Sequence, residues 1–247
     1  MRYEEGSTTD RLAHHGVRYG SRMKERARSA QDKAQRSEDL LRAAEALATE
    51  LGGVRFITVQ AVTERAGLHR TGVRRYYSSR EELLLELAER GWSQWRAAIS
   101  AAVAQRAGLG PEDVAGVVTD TITTLPVFCD LLTHVTLTLE GDVDMERARQ
   151  YKTASFAAYD AIVDHLGLVS SMTPDQLRGL LAATLALASS GWQVSHPTPT
   201  LAALYEQVPE WGHVAFDFAP RLKLLLTALA VGLHVVVPDT GPTPGAD

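Results

Sequence analysis

The spacing of apolar residues restricts the fold of this 247-residue chain more than any other feature. Between residues 37 and 237, large apolar side chains recur every three or four positions, and Gly or Pro interrupts the pattern at intervals. This period lines apolar residues along one face of an α-helix, whereas a strand with one buried face alternates apolar and polar residues. Because no convincing run of such alternation occurs, the sequence predicts an all-α protein.

Helix caps and breakers divide this pattern into segments. Ser37, Thr58 and Ser79 each precede an apolar-periodic segment and are suited to cap it. Glu82 completes a capping box with Ser79, and residues 173–176 form a second one. Prolines suit the first turns of two further helices. The predicted helices cover about 37–51, 58–66, 69–76, 79–95, 111–125, 126–139, 142–166, 177–194, 201–208 and 218–236.

Both termini are predicted to lie outside the helical fold. Residues 1–36 hold few large apolar side chains and bury too little surface to offset the entropy of ordering, so we predict a disordered arm. The arm carries nine basic residues against five acidic ones, which suits either added affinity for phosphates or a solvated leader. The Gly- and Pro-rich residues 238–247 are predicted to be a disordered tail.

Charge is distributed unevenly along the chain. The formal net charge is −5, but residues 1–80 carry 16 Lys and Arg against 10 Asp and Glu, and the remainder carries 9 against 20. Clustered Lys and Arg attract the phosphates of DNA, whereas carboxylates repel them. A basic N-terminal part joined to an acidic body is therefore typical of a protein that contacts DNA at one end. A basic tail on an ordinary acidic domain is the alternative.

Composition and the length of the apolar segments indicate where in the cell the protein is found. With 45% apolar and 22% charged residues, the chain has the composition of a soluble globular protein. The N-terminus lacks the apolar stretch of a signal peptide, and the apolar segments 180–188 and 224–237 are shorter than a membrane span. The single cysteine, Cys129, cannot form an internal disulfide. We therefore expect a cytoplasmic protein that does not contact a membrane.

Residues 58–77 carry the functional prediction. Two short helices, 58–66 and 69–76, are joined at Gly67-Leu68, which is the arrangement of a helix-turn-helix motif. If Val73 and Tyr77 face inward, four polar side chains occupy the outer face of the second helix. Such side chains bond guanine edges, phosphates and a thymine methyl group, although a solvated basic face is the alternative. The outward residues are Arg70, Thr71, Arg74 and Arg75.

Four stretches resemble the N-terminal domain of the tetracycline-repressor (TetR) family. They are LLRAA at 40–44, TVQAV at 58–62, AGL at 66–68 and YSSREELL at 77–84. The resemblance covers about residues 37–90. It implies an all-α homodimer in which a three-helix helix-turn-helix DNA-binding domain precedes a helical ligand-binding and dimerisation bundle. The implied partners are a near-palindromic double-stranded DNA operator, a second copy of the chain and a small-molecule effector.

The resemblance also implies roles for single residues. Thr58 would touch a phosphate, and Arg80, where the family usually has Lys, would hold the DNA backbone. Arg70, Thr71 and Arg75 would face base edges. His69, Gly72 and Arg74 depart from the family pattern, which bears on the operator sequence that is read. The predicted DNA-binding set is Thr58, His69, Arg70, Thr71, Arg74, Arg75, Tyr76 and Arg80.

The body, residues 91–237, is predicted to bind the effector and to dimerise. Helical bundles form ligand cavities between facing helices. Two strongly apolar helices, 177–192 and 218–236, are predicted to pack on their symmetry mates as a four-helix interface, and burial within one subunit is the alternative. The candidate effector contacts are aromatic and histidine side chains of the body: Phe128, His134, Phe156, Tyr159 and Trp192.

No catalytic framework is recognisable in the body. The motifs HExxH, GxSxG, GxGxxG and the Walker loop are absent, and the histidines are not spaced as metal ligands. We therefore predict a repressor that a small apolar effector releases from its operator, with no catalytic residue, metal or cofactor. The alternatives are an all-α small-molecule-binding protein or enzyme whose basic head serves another partner, and a DNA-binding regulator without a ligand.

Overall fold

The computed structural model describes residues 10–69, 73–214 and 216–236. Within these ranges the chain folds into α-helices and short helical turns, and it forms no strand. The prediction of an all-α fold is confirmed. The helices are α1 (Asp10–Leu51), α2 (Val59–Arg65), α3 (Arg80–Val103), α4 (Pro111–Ile122), α5 (Pro126–His134), α6 (Met145–Gly167), α7 (Pro174–Ser195), α8 (Pro199–Gln207) and α9 (Phe218–Val236).

The first helix is much longer than the sequence predicted. It begins at Asp10 rather than near residue 37, within the stretch 1–36 that the sequence predicts to be a disordered arm. This stretch lacks proline and is rich in Arg and Ala, which favour the helix, and a helix once nucleated adds one hydrogen bond for each further residue. Residues 31–36 are exposed, so burial does not contribute there. The predicted tail at 238–247 lies outside the described residues.

Ser37 lies inside α1 and therefore does not cap it. Its hydroxyl oxygen lies 2.8 Å from Tyr77 Oη and donates to Glu86 Oε1 at 3.3 Å. These bonds connect the first helix to the end of the helix-turn-helix segment and to α3. A serine before an apolar segment is typical of a cap, and only the tertiary contact with Tyr77 distinguishes the two uses.

The other predicted helix caps are confirmed. Thr58 and Thr173 each accept a bond from the backbone N–H three residues later, and the capping box of Thr173 is complete. Ser79 accepts from Glu82 N at 3.1 Å, while the Glu82 carboxylate accepts from Ser78 N at 2.6 Å, one residue earlier than predicted. The start of α3 is therefore fixed against the preceding turn.

The long helix α3 joins the N-terminal head, residues 37–90, to the body, residues 91–237. It packs against α1 in the head and against α4, α5 and α6 in the body. The predicted domain boundary at residue 90 lies inside this helix, so head and body share one rigid element. The largest fully buried side chains of the body include Trp95, Ile99, Leu131, Ile162 and Leu166.

The last helix, α9, covers one side of the body. By length and composition it is long and apolar enough to cross a membrane, contrary to the expectation from its apolar segment 224–237. In the structure it packs against α4 and α7. The face in contact is regular, with Phe218, Leu222, Leu226 and Ala230 buried at intervals of four residues. The core helix of a soluble protein has this same composition.

Candidate DNA-binding head and ligand cavity

In the head, a short helix and a tight turn pack on buried side chains. Thr58 caps α2, and its Oγ1 accepts from Ala61 N at 3.1 Å. Gly67 adopts a φ of 65°, a region that side chains disfavour, and it turns the chain out of the helix. Val62, Val73 and Tyr77 are buried. The predicted inward positions of the helix-turn-helix segment are therefore confirmed for these residues.

The second helix of the motif is described only from Val73 onward. Val73–Arg75 is a single 3-10 turn, in which the N–H groups of Tyr76 and Tyr77 donate to Val73 O at 2.8 and 3.0 Å. Arg74 and Arg75 are exposed, whereas Val73 between the turn and the core is buried. Two guanidinium groups thus lie on the solvent side of the head. That is the side on which DNA contacts were predicted.

Some of the other predicted DNA contacts lie in the described ranges, and some lie outside them. Thr58 and His69 are exposed, and Tyr76 is half-buried. The predicted contacts of Arg70 and Thr71 with base edges lie outside the described residues. Together with the two exposed arginines, Thr58 and His69 give the N-terminal part of the chain exposed basic and hydrogen-bonding side chains.

Arg80, for which the resemblance implied a contact with the DNA backbone, is half-buried at the start of α3. Its Nε donates to Ile57 O at 2.7 Å, and one terminal nitrogen donates to Val54 O at 2.8 Å. The other terminal nitrogen lies 3.5 Å from a Glu81 carboxylate oxygen. The fixed fork of a guanidinium bonds two carbonyl groups at once, which an ammonium group does less well. Arg80 therefore holds the turn before α2 against the start of α3.

Replacing Arg80 by Ala should lower the free energy of unfolding by about 1.5–3 kcal/mol, because two carbonyl groups lose a charged donor. DNA binding should weaken alike for all sequences, since α2 loses its support. Chemical denaturation and mobility-shift titration measure the two effects. Arg80→Lys is the matched variant: it keeps the charge and should restore little stability. Full stability of Arg80→Ala would contradict the supporting role.

A cavity of about 780 Å³ opens between helices of the body. Its walls come from α3, α5, α6 and α7 and from the π-helical turn that follows α5, Val135–Leu139. Most of the lining is apolar. Two exposed apolar side chains, Leu137 and Phe156, belong to the wall and are 73% and 61% exposed, so they mark its rim. The volume lies within the usual range for small-molecule sites.

The polar groups of the cavity are few and mostly paired. Trp92 Nε1 donates to Tyr151 Oη at 3.1 Å, and burial raises the pKa of Tyr151 to about 12, so its hydroxyl stays protonated. Lys152 Nζ lies 2.8 Å from Glu140 Oε1, which places one ion pair in the wall. Gln193 also lines the cavity. A ligand here meets an apolar surface with hydroxyl and amide groups and one paired charge.

Two of the five predicted effector residues, Phe156 and Tyr159, line this cavity. Phe128 is core instead: its ring lies edge-on to Trp92, with the ring centroids 5.3 Å apart. His134 lies beside Asp130, with Nε2 3.7 Å from Oδ1. Trp192 stacks on His196 at 3.6 Å, near a smaller pocket of about 200 Å³ between head and body. These three side chains are therefore not among those that line the main cavity.

Sequence reasoning missed the wall residues that are polar or belong to α3. They include Trp92, Glu140, Tyr151, Lys152 and Gln193. Trp92 follows the apolar period of α3 and looks like core, while the charged pair looks like a solvated surface. Within the described ranges, no group of three or more His, Cys, Asp or Glu side chains is placed to hold a metal ion.

A buried carboxylate lies where the head meets the body. Asp130 Oδ2 accepts from Val54 N at 2.6 Å, and Oδ1 accepts from Gln193 Nε2 at 2.7 Å. Burial alone would raise the pKa of Asp130, but the neighbouring His134 and the bonds from Val54 N and Gln193 outweigh burial and hold that pKa below its usual value. Asp130 is therefore ionised near neutral pH and connects α5, α7 and the turn after α1.

A comparison with known protein families shows which family has this combination of an N-terminal head and a helical body with a cavity. The sequence model of the family "Tetracyclin repressor-like, C-terminal domain" matches residues 89–236, more than half of the chain. The chain belongs to the TetR family. It is a DNA-binding transcriptional regulator. The matched region is the body with its cavity, and the head that resembles the family's DNA-binding domain precedes it.

A solved TetR structure shares the fold at low sequence identity. A TetR transcriptional regulator from Rhodococcus sp. RHA1 is 16% identical with a TM-score of 0.53, over 84% of this chain and 100% of that chain. The Thermus thermophilus TetR-family repressor FadR, in complex with lauroyl-CoA, is 18% identical with a TM-score of 0.48, over 84% of this chain and 99% of that chain. Among curated proteins, no sequence relative is found.

Proposed function

We propose that this TetR-family regulator is a repressor that binds a near-palindromic operator as a homodimer and leaves it when a small apolar ligand fills the cavity. One observation carries the proposal: an apolar cavity of about 780 Å³ lies inside the matched TetR domain and has a wall residue, Trp92, on α3. The same helix begins in the head at the Ser79 cap. A ligand in the body thus borders the element that carries the head.

The DNA side of the proposal rests on the exposed turn of the head. Arg74 and Arg75 are exposed there next to the buried Val73. Thr58 and His69 are exposed as well. One short helix reads few base pairs, whereas two heads about 34–36 Å apart meet successive major-groove faces of a two-fold symmetric site. The proposal includes a cytoplasmic location, where such an operator is accessible.

The dimer side rests on the outer faces of α7 and α9. Opposite its buried face, α9 exposes Leu224, Leu225, Val231 and Val235. Leu225 also lines a groove of about 240 Å³ between α9 and α7, together with Leu187 on α7. An apolar surface of this kind is stable in water when a second copy covers it. The predicted four-helix interface therefore remains our proposal.

The cavity defines the class of effector. Its apolar walls favour a hydrophobic ligand body, and the Glu140–Lys152 pair and the Gln193 amide can satisfy one polar end. The ligand needs no metal for this mode of binding. We expect a small, largely apolar molecule with a single polar group.

A titration tests the proposed function. DNA duplexes are selected from a randomised pool with the protein, and hydrophobic compounds are then screened by the fluorescence of Trp92 in the cavity wall. A ligand should weaken operator binding by the same factor by which operator weakens ligand binding, with a coupling of about 1–3 kcal/mol. A compound that binds in the cavity and leaves operator affinity unchanged would favour a regulator without a ligand switch.

Replacing Arg75 by Ala should cost about 1–3 kcal/mol of specific DNA binding and relax the preference at one or two base pairs. The reason is the exposed position of its guanidinium beside the buried Val73. Competition binding against single-base variants of the selected duplex measures the change. Arg96→Ala, an exposed arginine on the body part of α3, is the control and should bind as the original protein does. Unchanged specificity of Arg75→Ala would remove Arg75 from the reading surface.

A further inference from the structure

Asp130 connects the cavity wall to the turn that precedes α2. On one side it accepts the Gln193 amide at 2.7 Å, and Gln193 is part of the cavity wall. On the other side it accepts the backbone N–H of Val54 at 2.6 Å, in a bond that is buried. The Asp130 side chain of α5 therefore bonds both a residue of the cavity wall, Gln193, and the backbone of the head at Val54.

The head side of this connection is closely fitted. Gly53 adopts a φ of 149°, and a Cβ built there would lie 3.3 Å from Asp130 Oδ2, so the glycine lets the carboxylate approach the backbone. The carbonyl of Val54 accepts from Arg80 at 2.8 Å. Four residues after Val54, Thr58 caps α2. A shift at Val54 thus reaches the cap of the helix-turn-helix motif through one short turn.

The cavity side can change when a ligand binds. Asp130 is buried, and a buried carboxylate is destabilised when one of its donors leaves. Gln193 is the donor that a ligand in the cavity can engage, because Gln193 lines the cavity and the other two groups, Val54 N and His134, do not. The charge of Asp130 then depends more strongly on Val54 N and on His134, whose Nε2 lies 3.7 Å away.

We propose that Gln193 and Asp130 are positioning residues that transmit occupancy of the cavity to the head. A ligand that binds the Gln193 amide withdraws it from Asp130, and the carboxylate then moves the turn Val54–Ile57 and with it the start of α2. This proposal rests on the proposed function, since it needs a ligand in the cavity. It differs from transmission through α3, which would not involve Gln193.

A covalent probe replaces the unidentified effector in the test. Thr136 is exposed and lines the cavity, so Thr136→Cys labelled with N-phenylmaleimide adds a phenyl ring there and two imide carbonyl groups that can accept from the Gln193 amide. The only natural cysteine, Cys129, is buried, and burial raises the pKa of its thiol to about 12, so it does not react. Leu168→Cys, at an exposed site outside the cavity, carries the control label. Thermal unfolding checks that each labelled protein is folded.

The label at position 136 should weaken binding to the selected duplex at least about fivefold, as expected for an allosteric coupling. In the background of Gln193→Met, which keeps the size of the side chain and removes its donor, the same label should change binding less than about twofold. The label should also speed hydrogen exchange at the Val54 amide more than at other buried amides, whereas packing damage that lowers the overall stability speeds exchange throughout the core.

Two other outcomes have distinct meanings. If the label weakens operator binding equally with Gln193 and with Gln193→Met, the Asp130 connection is overturned, while ligand-dependent repression stands and its signal travels along α3. If the label fills the cavity of the folded protein and changes neither operator binding nor exchange at Val54, both this proposal and the ligand switch of the proposed function are overturned.

Discussion

Replacing Leu225 by Glu should convert the protein to monomers and abolish operator binding together. Leu225 is 39% exposed on α9 and borders the groove that α9 forms with α7. In a two-fold interface the substitution places a glutamate on each subunit, so two carboxylates enter one apolar contact. A single head reads too little DNA to bind tightly, and operator affinity should fall with the loss of the dimer.

Light scattering at micromolar concentration and mobility-shift titration measure the two effects on the same samples. Leu168→Glu is the matched control, because Leu168 is 84% exposed directly after α6 and belongs to neither α7 nor α9. That variant should remain dimeric and bind normally. A monomer that still binds the operator tightly would contradict the symmetric mode of DNA binding, and a dimeric Leu225→Glu would move the interface to another surface.

The parts of the fold that depend on local chemistry were predictable. Thr58, Ser79 and Thr173 cap the helices that the sequence assigns to them, because capping needs only a side-chain oxygen and the N–H groups of the next turn. The same reasoning gave the wrong role for Ser37. Its hydroxyl bonds Tyr77 and Glu86, which are 40 and 49 residues away, and no local pattern indicates such partners.

The sequence predicted which part of the chain holds the cavity, but not all of the side chains that line it. The body, residues 91–237, was expected to hold it, and Phe156 and Tyr159 are in its wall. Phe128 was expected there too, yet its ring lies against Trp92 and Trp95 in the core. An aromatic side chain on a helix is buried either against a neighbouring helix or beside a cavity, and the sequence period is identical in both cases.

The structure adds a supporting role for Arg80 that the resemblance did not imply, while its predicted contact with the DNA backbone stays a prediction. The motif places a basic residue at the start of α3, and a basic residue at that position can face DNA. In this chain the guanidinium bonds the carbonyl groups of Val54 and Ile57. The donor geometry of arginine suits two nearby carbonyls as well as it suits a phosphate, so residue type alone does not separate the two uses.

Replacing Trp95 by Ala should lower the free energy of unfolding by about 3–5 kcal/mol, because the cost of truncating a core side chain grows with the void that it leaves. Trp95 is 0% exposed on α3, its Nε1 donates to Thr121 Oγ1 at 3.1 Å, and its ring lies 5.7 Å from Trp92 and 6.3 Å from Phe128 between centroids. Truncation leaves a large void in the one place where α3, α4 and α5 meet.

Urea denaturation at fixed protein concentration measures this loss, because the stability of a dimer depends on concentration. The control is Trp211→Ala: Trp211 is 49% exposed on the turn Pro209–Val214, and its removal should cost less than about 1 kcal/mol. Trp95→Phe keeps an aromatic ring and should recover part of the loss. Equal costs for Trp95→Ala and Trp211→Ala would mean that this aromatic cluster does not hold α3 in the body, and α3 would then be too loosely anchored to carry a signal from the cavity to the head.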